Sequence, residues 1–247
     1  MHSYLNTAIV HHEDSAYAKW IAPVCPLVAG LSKAQGEFVL ARISSIAGAA
    51  GVPLDSEKCN ANLLVIVTND PDRQVRTWVR VDPTRFADAH GSQALKRFVN
   101  TPRAVRVWYN AEFRTGFGNA PLTMVAMGAG TAVPFNYQAR PTHLKFDSVR
   151  AIVSAIIIVD RNQVTHVNFG QLFDFVTMLA LAEIDQDKDH TEAPTILNLF
   201  TDSARAPAEG MSSWDEAFLK ALYQTSQESR MQLSEMTTSM TKSLEHK

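Results

Sequence analysis

Residues 151–159 read AIVSAIIIV, and what this stretch becomes decides the fold. Its β-branched residues suit a pleated surface, which predicts a strand closed by the turn Asp160-Arg161-Asn162-Gln163. A short alternating piece, Val164 to Val167, predicts a second strand, so the two together read as a hairpin. From Asn168 the apolar period changes to helical. Asn168 can cap a helix whose positions Leu172, Phe173, Phe175, Val176, Leu179, Ala180 and Ala182 cover most of its circumference. A helix apolar nearly all round is predicted to lie buried at the centre of the molecule.

Working upstream, Leu63 to Val67 in NLLVIVT are all apolar, which predicts a strand in the middle of a sheet, covered on both faces. Ser32 and Gln35 form a capping-box pattern ahead of Phe38, Val39, Ile43 and Ile46, and Gly51 with Pro53 supplies the stop. Asp70-Pro71, Asp82-Pro83 and Ser92 each read as a helix start, so residues 71–99 should be two or three short helices. Arg73, Arg76, Arg80, Arg85, Lys96 and Arg97 make this the most basic part of the chain, read as a solvated helix face. Ala104 to Tyr109 alternates as a half-buried strand, with Arg106 and Trp108 on the open side. Residues 115–140 are rich in Gly, Asn and Pro, with a short strand at Leu122 to Met127.

Downstream, residues 185–193 form a polar loop, followed by PTILNLF and a helix opened by Ser213 and Glu216 and ending at Tyr223. The tail repeats Met231, Leu233, Met236, Met240 and Leu244 as a narrow apolar stripe. Residues 1–22 carry HHED and little apolar period, and are expected to be a loosely held arm. The reading is therefore an α+β protein, a mixed sheet packed with helices: an arm (1–22), a single domain (23–225) and an amphipathic C-terminal helix (226–247).

The chain has 247 residues, 46% of them hydrophobic, and 25 acidic against 23 basic side chains give a net charge of -2. That balance argues against a nucleic-acid partner or an anionic membrane. The longest apolar runs are about half of what a membrane helix needs, and no signal peptide opens the sequence. The stripe of Met231, Met236, Met240 and Leu244 is read either as the seat of a second copy or another protein, because unbranched thioethers adapt to irregular surfaces, or equally as a seam that docks on its own domain. Cys25 and Cys59 either pair or are two unrelated buried thiols. Pairing would close a loop of about 35 residues, stabilising by about 4 kcal/mol, and would imply an extracytoplasmic location, periplasmic or secreted.

HExxH, GxSxG, GxxxxGK[ST] and a strand-led GxGxxG are all absent, and the eight histidines offer no helical i,i+4 pair. No metal and no cofactor are expected. Asp185, Asp187 and Asp189 resemble the start of a calcium loop, but His190 and Ile196 stand where glycine and glutamate are needed. His11, His12, Glu13 and Asp14 lack supporting residues for a specific metal site. Asp174 and Glu183 lie on the apolar helix roughly 13 Å apart along its axis, too far to act on one bond, and read as capping or salt-bridging groups. The rival reading is a hydrolase using Asp174, Glu183, His166 and Asp215 around a cleft beside that helix.

From residue 164 onward the order of pieces resembles the C-terminal half of the zincin fold, above all metzincin and matrixin peptidases. DFVTMLALAEI (Asp174 to Ile184) stands where the zinc helix runs. PTILNLF stands for the turn beneath the metal, and MSSWDEAFLKALY (Met211 to Tyr223) for the closing helix, with Ser212, Asp215, Leu222 and Tyr223 in similar places. The resemblance covers about 60 residues and rests mostly on apolar anchors. It puts Asp174, Met178 and Ile184 at the ligand positions and Phe175 at the general base, so it implies a scaffold without its metal, a pseudoenzyme. Paired cysteines ahead of a CxxNLxV-like strand are also similar to a group of uncharacterised exported bacterial proteins. The function expected is a non-catalytic binding or structural protein.

Overall fold

The computed structural model describes residues 1–10, 16–86, 92–115, 123–126, 132–135, 148–188, 190–201, 208–225 and 229–245. In chain order the elements are α1 (His2–Ala8), β1 (Lys19–Trp20), β2 (Pro26–Ala29), α2 (Lys33–Ala50), β3 (Leu63–Thr68), α3 (Pro71–Val81) and α4 (Gln93–Asn100). They continue with β4 (Val105–Thr115), β5 (Thr123–Ala126), β6 (Ala132–Phe135), β7 (Ser148–Asp160), α5 (Phe169–Leu181), α6 (Ser213–Gln224) and α7 (Ser229–Glu245). Single 3-10 turns occupy Pro83–Phe86 and Ile196–Phe200.

AIVSAIIIV lies within β7, the axis of a five-stranded sheet. One edge of β7 pairs antiparallel with β4 along its whole length. Its other edge takes β1 at Ala151 and Ile152 and then β3 from Ala155 to Asp160, both parallel, and β2 pairs parallel outside β3. The sheet is mixed and mostly parallel. With both edges of β7 occupied, no place is left for a hairpin partner. Val164 to Val167 accordingly forms turns, with Val167 N donating to Val164 O at 3.1 Å, and this corrects the expected strand. The turn after β7 is the one expected, with Asp160 accepting from Asn162 N and Gln163 Nε2.

Helices lie on both faces. The larger core joins Ile152, Ala155, Ile157 and Val159 of β7 and Leu63, Val65 and Val67 of β3 to α1, α2, α5, α6 and α7. The smaller joins Ile156 and Ile158 to Val75, Phe86, Leu95 and Phe98 of the α3–α4 layer. β3 is fully buried on the first face only, since Leu64, Ile66 and Thr68 are half-buried. β4 is covered on both faces. Trp108 stacks with Phe86 and Phe98, and Arg106, expected on an open side, is buried with its guanidinium on Asp72 of α3 and Val99 O of α4.

Most helix boundaries follow the capping chemistry read from the sequence. Ser32 and Gln35 form the full capping box of α2, Gly51 ends it at φ 82°, and Asp70, Ser92 and Asn168 cap α3, α4 and α5. α6 starts one residue earlier than expected, with Ser212 as cap and Asp215 completing the box. Gly30 (φ 83°) follows β2 where a Cβ would lie 1.8 Å from the Val67 carbonyl oxygen, so only glycine lets these strands meet there.

The expected loose arm does not describe residues 2–10. α1 buries Tyr4, Leu5 and Ala8, with the Tyr4 ring edge-on to Trp214 and Phe218. Ile9 bridges Ile184, and Lys19 and Trp20 enter the sheet. A helix of seven residues is too short to display a period in sequence, and its order comes from the surface it covers. The HHED residues, and residues 116–122 of the stretch rich in Gly, Asn and Pro, lie outside the described residues.

Candidate functional site

Helix α5 is the natural centre for a site, and its end is buried. Its last four carbonyls therefore need partners inside the protein. Ala182 N donates to Met178 O at 3.2 Å, Tyr109 OH to Leu179 O at 2.8 Å, Trp20 Nε1 to Ala180 O at 2.8 Å and Tyr223 OH to Leu181 O at 2.6 Å. Three aromatic side chains from β4, β1 and α6 thus replace water at this helix end. Burial pushes the Tyr109 and Tyr223 phenols up, so they stay protonated donors.

The acids read from the sequence are placed as follows. Asp174 is buried on α5, where Arg42 of α2 donates Nε to Oδ1 at 2.5 Å and Nη2 to Oδ2 at 2.8 Å. Met211 N adds a third bond to Oδ2 at 2.7 Å. Gly210 makes that approach feasible, because a Cβ there would meet Asp174 Oδ2 at 2.8 Å. Glu183, just past α5, receives Nη2 of Arg150 at 2.7 Å and Nε at 3.2 Å, with both side chains nearly buried. Asp215 has no solvent exposure. It accepts from the Thr195 hydroxyl on Oδ1, and on Oδ2 from Ile196 N at 3.0 Å, Ser212 N at 2.9 Å and Ser212 Oγ at 2.6 Å. Burial pushes the Asp215 carboxyl up, and the hydrogen bonds from Ser212, Thr195 and Ile196 act against that push.

Asp174 and Asp215 are therefore brought to adjacent backbone N–H groups on the turn before α6. His166 stands on an exposed turn ahead of α5 and Glu183 beyond its far end, and neither shares a hydrogen bond with that pair. The positions that the resemblance gives to a metal are core positions: Met178, Ile184 and Phe175 are all buried in the larger cluster. In the acidic loop Asp187 pairs with Arg103, Asp185 accepts from Asp187 N at 2.9 Å, and Asp189 lies outside the described residues. Among the described residues no three His, Cys, Asp or Glu side chains stand close enough to hold a metal ion. The carboxyl ends of the parallel strands, where open sheets of this kind bind ligands, are bridged by Arg161 donating to Gly30 O and Asn162 donating to Asn69 O at 2.9 Å.

No family model, curated protein or solved structure matches the chain.

Cys25 and Cys59 form a disulfide that ties the entry of β2 to the loop before β3. Asn62 reinforces the clip, accepting from Cys25 N at 2.8 Å and donating to Pro23 O at 3.0 Å. No helix among the described residues is long and apolar enough to cross a membrane.

For the methionine stripe of α7 the structure decides between the two readings, a partner surface and a seam on its own domain. Met236 and Met240 have no exposure and belong to the larger core, and Leu244 packs against it; Met231, at 53%, is exposed. Buried Gln232 accepts from Tyr17 N at 2.7 Å. The stripe is used up in docking α7 on its own domain.

Sequence reasoning missed Arg42 and Arg150, the partners of the helix acids. The available signal was Arg42 between Val39 and Ile43, a cation bordering the buried stripe of α2. It also missed Lys19, a buried residue of β1 whose ammonium donates to Leu222 O at 3.1 Å and Thr225 O at 3.2 Å. Burial pushes its pKa down to about 8.

The α3–α4 layer is built differently. Arg106 fixes both helices from below. Arg73, Arg76 and Arg80 on α3 and Lys96 and Arg97 on α4 are exposed. Gln93, Lys96, Arg97, Asn100 and Thr101 line a groove of 610 Å³.

Proposed function

We propose that the protein is a non-catalytic binding or structural module, working through its surface in an extracytoplasmic compartment, with a zincin-like order of elements that serves as scaffold. The observation that carries this reading is the engagement of Asp174, Glu183 and Asp215. Each buried carboxylate is matched by donors of the protein itself: a bidentate arginine for the first two, and hydroxyl and backbone donors for the third. A general acid or base has to reach a substrate proton, and these oxygens are directed at neighbouring helices and turns. The bridged strand ends support the same reading. The Cys25–Cys59 disulfide supports the compartment, since such bonds persist where thiols are not kept reduced.

The test is a hydrolysis screen with ester, peptide and glycoside substrates on the intact protein and on Asp174→Asn, Glu183→Gln and Asp215→Asn, each checked for native circular dichroism. The expected result is no turnover that depends on these residues. A rate that falls by about a hundredfold or more in a folded variant would reinstate a hydrolase built on these acids.

A further inference from the structure

We infer that the outer face of the α3–α4 layer is a docking surface for an acidic segment of a partner protein. This inference rests on the reading of the protein as a binding module, and supplies the surface and the class of partner.

The helical period sets the geometry. On α3, Arg73, Arg76 and Arg80 fall at i, i+3 and i+7, within about 60° of one another and opposite buried Val75 and half-buried Trp78. On α4, Gln93, Lys96, Arg97 and Asn100 occupy the corresponding outward stripe, opposite Leu95, Phe98 and Val99. Both helices pack on the same side of the sheet, clamped by Arg106, so the two stripes face the same way. The stripe on α3 is about 10 Å long at 1.5 Å rise per residue.

A solvated helix face normally mixes signs and pairs them. Here the signs are sorted. The described acids of the layer are all committed: Asp70 caps α3, Asp72 receives Arg106, and Asp82 holds Arg85 and Thr84. By contrast Arg73, Arg76, Arg80, Lys96 and Arg97 form no ion pair among the described residues. On α2, exposed Lys33 instead lies 3.8 Å from Glu37 one turn on. A chain of net charge -2 therefore carries a concentrated positive face, which orients and speeds the approach of a negative partner.

The kind of polyanion follows from what surrounds these cations. Single-stranded nucleic acid needs open aromatic rings on which bases stack; here Phe86, Phe98 and Trp108 are packed against one another beneath the helices, and half-buried Trp78, away from the arginine stripe on α3, has the Arg85 guanidinium over its ring at 5.7 Å. Seating on a membrane adds an apolar stripe to such a patch, and the large aliphatic side chain exposed on these helices is Val81, 69% exposed at the end of α3 and about 100° round the helix from Arg80. Four guanidiniums and one ammonium, with one exposed aliphatic side chain beside them, fit a protein partner. Arginine grips carboxylates in a fork, and arginine beside apolar contact is common in protein interfaces.

The experiment is fluorescence anisotropy with a short labelled oligoglutamate on the full chain, at low salt and at about 150 mM. Saturable, salt-sensitive binding is expected, weakened about tenfold in Arg73→Ser/Arg76→Ser/Arg80→Ser and measurably in Arg97→Ser. A control triple at exposed lysines outside the layer, Lys33→Ser/Lys220→Ser/Lys242→Ser, should leave it unchanged. Equal loss in both triples, or no saturable binding, overturns the inference. Tighter binding of oligo-dT or of phosphatidylglycerol vesicles through the same arginines also overturns it, by assigning the face to another polyanion. Turnover depending on Asp174, Glu183 or Asp215 would sink the non-catalytic reading without altering these isotherms, so the two can fail separately.

Discussion

The two faces of the sheet handle charge in opposite ways. On the face carrying α2, α5 and α6, charged groups are drawn inward and matched: Arg42 with Asp174, Arg150 with Glu183, Lys19 with the last carbonyls around α6. On the face carrying α3 and α4, Arg106 with Asp72 positions the helices and Asp82 holds Arg85, while Arg73, Arg76, Arg80, Lys96 and Arg97 point outward with no ion pair among the described residues. An ionic group fixed in a low-dielectric interior holds a scaffold together, whereas an unpaired exposed one contributes little to stability and remains open to a partner. The comparison teaches that the conspicuous buried acids of this protein are matched within its own architecture, and that its exposed, unpaired arginines are gathered on the opposite side of the sheet.

The strongest way to break this contrast is Arg150→Ala. It removes the bidentate guanidinium from the nearly buried Glu183 carboxylate and should destabilise by about 3–5 kcal/mol in urea titration. The double change Arg150→Met/Glu183→Leu should recover most of that loss. If the single change is neutral, the inner pair is not structural. Next in size is the clip at the sheet edge: replacing Cys25 and Cys59 together by serine should lower stability by about 2–4 kcal/mol, mainly by releasing the unfolded chain, and reduction should match it.

Lys19 gives a smaller effect with a defined sign. Its folded pKa is about 8 against an ordinary 10.5. Below pH 8 it is charged in both states and the cost of burying the ammonium is present in full. As pH rises from 8 toward 10.5 the folded state releases its proton first, so stability should climb relative to Lys19→Met. Parallel denaturation curves for the two proteins across this window would show that the ammonium is not buried as described. The smallest effect belongs to the outer face, where Arg73→Ser/Arg76→Ser/Arg80→Ser should change stability by no more than about 0.5 kcal/mol per site. A large loss would mean that these arginines are structural, and the contrast between the faces would disappear.

Much of the fold was legible. Caps at Ser32, Asp70, Ser92 and Asn168, the αL stop at Gly51 and the strand cores at 63–67 and 151–159 are local chemistry, and they stand where the sequence put them. The hairpin after β7 failed because strand pairing depends on which edges are already occupied. The arm failed because the order of α1 comes from the groove it fills, and the methionine stripe reads alike whether it meets its own domain or another chain. The acids could be seen, but their partners Arg42 and Arg150 lie more than thirty residues away in sequence, and a distant ion pair leaves no periodic trace.

The sequence by itself determined the class of fold, the buried nature of α5 and the concentration of cations between residues 73 and 97. These follow from periodicity and composition, which act over a few neighbouring residues. Tertiary structure alone decided that the cysteines pair, that the three acids are matched from within, and that the cations of α3 and α4 share one outward face. Each of these is a meeting between segments far apart in the chain, and only packing brings such segments together.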